Sequence, residues 1–171
     1  MTRLLAGAAI GVAVALGLSG CIVVQVPTPA VTDDADPTRT ALPDAVGSTA
    51  DCTDADIRLT QASTSYTLTG DCGVVTIEGA DITVDAGNLD GLVIRGDRIL
   101  IEAAAVGSIE IGGTQNTVDA EDVGAVSING DRNEIDAFTV FTVAVSGNDN
   151  EIDASGTGAV TQSGERNRIG D

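Results

Sequence analysis

The chain has 171 residues and a formal net charge of −18, with one Tyr, two Phe and no Trp or His. That length holds one domain plus tails, and the charge argues against nucleic acid as a partner, since a phosphate backbone would be repelled. Lack of His removes a His-centred hydrolytic triad and the commonest zinc ligand, and a core so poor in aromatics must be narrow and filled by small branched side chains.

Residues 1–20, "MTRLLAGAAIGVAVALGLSG", carry one positive charge at Arg3, then an apolar run, then small residues, the plan of a secretory signal. The run ends in Leu18, Ser19, Gly20 and Cys21, which resembles the bacterial lipobox. In lipoproteins the equivalent cysteine receives a diacylglycerol and becomes the new N-terminus, so Cys21 is the expected lipidation site. An uncleaved membrane helix over Leu4–Val26 is the alternative reading. Either way the remainder lies outside the cytoplasm, and under the lipobox reading it is held at the outer face of the cytoplasmic membrane. All four prolines fall between residues 27 and 50, so residues 21–50 read as a solvated tether.

From residue 51 the chain becomes periodic. Gly recurs at Gly79, Gly96, Gly113, Gly130, Gly147 and Gly164, five successive intervals of seventeen without an insertion. Counting each Gly as place one, the sixth place carries Val84, Ile101, Val118, Ile135, Ile152 and Ile169, and the eighth carries Ala86, Ala103, Ala120, Ala137 and Ala154. Aliphatic residues also recur at places fourteen and sixteen. Apolar residues two apart make strands with one buried face and exclude helix. A fixed period near twenty is one circuit of a stacked coil. The expected fold is all-β, a single-stranded β-solenoid of about six coils over residues 51–171, each coil holding two strands around places four to eight and thirteen to seventeen.

Asn116, Asn133, Asn150 and Asn167 share the fourth place, where Ile82 and Ile99 stand earlier. Inward amides need partners, so they read as a structural ladder bonding the turn and the next coil. The first coil is irregular: Ile57 and Leu59 match Val75 and Ile77 at a separation of eighteen. Cys52 and Cys72 flank it and are expected to form a disulfide that clamps this end; two buried free thiols are the alternative. Towards the other end Thr157 and Gln162 replace core aliphatics, and Glu165, Arg166 and Arg168 read as polar protection of the last coil. The expected state is a monomer, with end-to-end dimerisation ranked second.

Through "GTQNTVDA", "GDRNEIDA", "GNDNEIDA" and the earlier "GDCGVVTIEG", residues 51–171 resemble the actinobacterial family known as domain of unknown function 3060. Its members are small exported or lipid-anchored proteins built on Gly-x-x-Asn-x-Val repeats. The resemblance implies a β-solenoid at the cell surface and brings no substrate or catalytic residue.

Place seven is acidic in five consecutive coils: Asp85, Glu102, Asp119, Asp136 and Asp153. Stacked, these carboxylates form a column that weakly bound calcium would relieve, with Glu134 and Glu151 lending oxygens. The preferred reading is structural, each acid accepting hydrogen bonds from the following corner. Phe138 and Phe141 fall at corner places nine and twelve and are expected to pack on each other or over Val140, an exposed patch for a partner being the alternative. Tyr66 reads as packing. The alternating charges at place three (Asp81, Arg98, Gln115, Arg132, Asp149, Arg166) should pair between coils. The favoured function is a non-catalytic surface lipoprotein with no cofactor, meeting an envelope protein or polysaccharide. A carbohydrate-active enzyme is second, and ice binding fails for want of an unbroken Thr column.

Overall fold

The structure is a computed structural model of the 171-residue chain that describes Thr40, Ala41 and residues 48–170. The signal segment 1–20, Cys21 and most of the tether lie outside the described residues. Strands β1 (Thr40–Ala41), β2 (Thr49–Asp51), β3 (Ala55–Leu59), β4 (Ser65–Thr69) and β5 (Cys72–Ile77) are followed by five twelve-residue strands: β6 (Thr83–Ile94), β7 (Leu100–Ile111), β8 (Thr117–Ile128), β9 (Glu134–Val145) and β10 (Glu151–Gln162). A short β11 (Arg168–Ile169) closes the series. All neighbouring strands pair in parallel, β6 through β10 each lying on the last with a shift of seventeen residues, as in Val118↔Ile135 and Ile135↔Ile152. This is a β-solenoid.

The two strands expected in each coil merge into one of twelve residues that bends without leaving the ladder. The halves remain separate only early in the chain, where β4 pairs the first part of β6 and β5 the second. The early register is eighteen, as in Ile57↔Val75 and Ser65↔Thr83, and becomes seventeen from Cys72↔Leu89 onward. The stack also starts earlier than residue 51: β2 pairs β4 through Thr49↔Thr67, and β1 pairs β3. Those added strands give about seven turns instead of six. The early residues lack the repeat glycine, so periodicity alone does not reveal them.

Places four, six, eight, eleven, fourteen and sixteen point inward. Ile101, Val118, Ile135 and Ile152 are fully buried, as are Ile94, Ile111 and Ile128. Each such side chain contributes about 2 kcal/mol of burial. Tyr66 is buried, the one aromatic ring in the core. Cys52 and Cys72 form a disulfide with Cα atoms 4.9 Å apart. In the last coil, residues 158–163 and Val160 among them are exposed, because β11 overlies only Glu151 and Ile152 of β10.

The corner between coils is the tightest part of the structure. A Cβ at Gly113, Gly130 or Gly147 would lie 1.8 Å from the carbonyl oxygen of the first-place Gly one coil earlier, so no larger residue fits. Place three adopts a left-handed backbone (φ 56–58° from Asp81 to Arg166), which turns its N–H to the place-two carbonyl of the next coil, as in Arg132 to Asn148 at 3.0 Å. Place four then donates backward and forward. The Asn133 Nδ2 donates to Gly113 O at 3.0 Å and to Asn150 Oδ1 at 3.2 Å, and its backbone N–H donates to Asn150 Oδ1 at 2.9 Å. Asn116 and Asn150 repeat the arrangement, and the ladder runs from the Ile99 N–H to Asn167.

Asn133→Ala keeps the backbone N–H bond but removes both Nδ2 bonds and the Oδ1 that accepts from the Asn116 N–H at 3.0 Å. That strands the buried Asn116 N–H and the Gly113 carbonyl, so denaturant unfolding should show a loss of about 3 kcal/mol. Asn167→Ala, at a half-buried site, should cost about 1 kcal/mol; equal losses would contradict the ladder.

Candidate functional site

Outward side chains repeat in the same files. The strand register puts Asp85 beside Glu102, Glu102 beside Asp119, Asp119 beside Asp136 and Asp136 beside Asp153. Neighbouring coils are about 4.8 Å apart, and unit charges at that spacing repel by about 1 kcal/mol even in bulk water. All five are exposed. The expected hydrogen bonds from the following corner do not form: Asp85, Glu102, Asp119 and Asp136 accept none from a described residue. The reason is that place seven lies inside a strand, where the nearby amides are already engaged in the ladder. Asp153 lies 3.9 Å from Arg168 Nη2. Among the described residues no three acids converge closely enough to hold a metal ion.

Beside this file the place-eight alanines leave a shallow groove, bounded by Glu102, Asp119, Asp136, Glu121, Phe138 and Ser155. Glu121 and Ser155 carry no signal in the sequence, because place nine varies from coil to coil and shows no file. The rings depart from expectation more clearly. Phe138 is 67% exposed and Phe141 72% exposed, so neither is packed away. Val140 between them points into the core, and the coils flanking Phe141 carry Gly124 and Gly158 at the same place, which offer nothing to pack against.

At place three two of the expected pairs form between coils, whereas Arg132 makes no ion pair among the described residues. The Arg98 guanidinium donates to both carboxylate oxygens of Asp81 at 2.6 and 2.9 Å, and Arg166 does the same to Asp149 at 2.5 and 2.7 Å. These bonds hold the Asp81 and Asp149 carboxyls below the usual carboxylate range, but exposed pairs add little stability. A second ladder at place two has no clear sequence signal, because its residue types change. The Asp97 Oδ1 accepts from the Thr114 N–H at 2.7 Å and from its hydroxyl at 2.9 Å, which lowers its pKa. Asp131 accepts likewise from Asn148, and Asn148 from the Glu165 N–H.

The glycine file and the asparagine ladder together make the Gly-x-x-Asn corner a structural signature. Residues 111–166 match the family model described as protein of unknown function, DUF3060. The match covers the coils that carry Asn116, Asn133 and Asn150, and its description assigns no activity. No curated protein and no solved structure matches the chain.

The site itself is therefore a carboxylate file, a shallow groove and two bare rings on a rigid surface. Asp119→Asn removes a charge flanked on both sides, so the variant should melt higher than the parent at low salt, with the gap closing as salt is added. A variant that melts lower would mean the carboxylate has a partner.

Proposed function

We propose that the chain is a lipid-anchored protein of the outer face of the cytoplasmic membrane, whose solenoid is a non-catalytic interaction or structural module. Support for the anchor comes from sequence: Arg3, the apolar run and Leu18–Cys21. Support for the module is the exposure of Phe138 and Phe141, since two bare rings on a rigid sheet serve recognition better than stability. The buried asparagines are consumed by the corners, and the coils carry no long loop between the twelve-residue strands to wall a cleft.

A second reading has one observation in its favour. Register places the carboxylates of Glu102, Asp119 and Asp136 on neighbouring coils, whose spacing of about 4.8 Å is near the carboxyl separation of about 5 Å used by retaining glycosidases. A single carboxylate file could take calcium only weakly. Release of reducing ends from a polysaccharide would favour the enzyme. A melting temperature raised by millimolar calcium and reversed by chelator would favour the cation.

Fractionation of the producing cell tests the anchor. The parent chain should sit in the membrane fraction and incorporate a fatty-acid analogue, and Cys21→Ala should lose both. Equal membrane retention without any label in the parent would leave the transmembrane reading in its place.

A further inference from the structure

We infer that the face around Phe138 and Phe141 docks a basic segment of a partner protein, with the rings covering its Arg or Lys stems and the carboxylates of Asp119, Glu121 and Asp136 pairing their charges. The inference rests on the interaction-module reading and names the partner class for it.

Phe141 is the first observation. Its place is glycine in three other coils, Gly107, Gly124 and Gly158. A Cβ would meet the preceding coil's carbonyl oxygen at 2.4 Å on Gly107, 2.2 Å on Gly124 and 2.0 Å on Gly158. Close stacking favours glycine there, yet the chain places its bulkiest kind of side chain at this corner and leaves the ring in solvent. Folding does not need it. Phe138 stands three residues earlier on the same coil, equally bare, at the rim of the groove.

The second observation is charge. The acids at place three have Arg98 and Arg166 as partners, whereas Asp119 and Asp136 accept no hydrogen bond from a described residue and line the groove beside Phe138. A guanidinium satisfies both halves of this surface, since it stacks on an aromatic face and pairs with a carboxylate. A neutral sugar would cover the carboxylates without neutralising them, and an acidic polymer would be repelled.

The test uses the purified full chain and an eight-residue peptide alternating Arg and Thr, with a Glu–Thr peptide and a neutral glucose oligomer as comparisons. The Arg peptide alone should bind. Phe138→Ser with Phe141→Gly places there the residues found in neighbouring coils, Ser155 and Gly124, so the fold should keep its melting temperature while affinity drops about tenfold or more. Asp136→Asn should weaken binding severalfold, and Asp85→Asn, in the same file but outside the groove, should leave it unchanged. Equal affinity of the double Phe variant, equal loss from Asp85→Asn, or binding of the glucose oligomer in place of the peptide would overturn the inference. If the Arg peptide fails while the parent, but not the double Phe variant, captures an envelope protein of another chemistry, the basic-segment inference falls and the module reading stands.

Discussion

Two turns of this chain approach so closely at one corner that a single methyl group cannot be inserted between them. A Cβ on Gly130 would lie 1.8 Å from the Gly113 carbonyl oxygen, and that same oxygen accepts the amide of Asn133 at 3.0 Å. Steric contact and hydrogen bond thus act on one group. The corner fixes how far each coil lies from the last, the spacing fixes the register, and the register decides which side chains enter the narrow core. Polar asparagine is tolerated at the centre of an aliphatic stack because each amide is bonded above and below.

The same constraint separates stability from recognition. Inward files must match from coil to coil, since a residue of the wrong size at Val118, Ile135 or Ile152 would disturb the coils on both sides of it. Outward files carry no such demand, so place nine can hold Gly87, Glu121, Phe138 or Ser155 without disturbing the coil. What distinguishes this surface from the rest of the described residues is the coincidence of bare rings with carboxylates on neighbouring coils that no described residue pairs.

Much of the fold could be read from the sequence because repetition makes geometry visible. Equal spacing of Gly79 through Gly164 defines a coil, and the Val118–Ile135–Ile152 column states which side faces inward. The stretch before Cys72 was less legible: its register is eighteen, and fifteen at the first strand, and the strands at Thr40–Ala41 and Thr49–Asp51 carry no repeat glycine to mark them. The site was harder to read. The carboxylate file was plain, but its expected hydrogen bonds depended on whether place seven was a corner or mid-strand, which column patterns do not distinguish. Exposure of Phe138 and Phe141 depended on what stands above and below them. The flanking glycines were in the sequence, yet their consequence becomes evident only when coils are stacked.

Deleting one turn tests the stacking most directly. Removing the seventeen residues 113–129 should bring Gly130 onto Gly96 and let Asn133 bond the Ile99 level, leaving a shorter protein that unfolds cooperatively. Removing only residues 113–128 shifts the register by one, turning buried faces outward, and should leave a chain without a cooperative transition. If the two deletions unfolded alike, the chain would not depend on a seventeen-residue register and the account would be wrong.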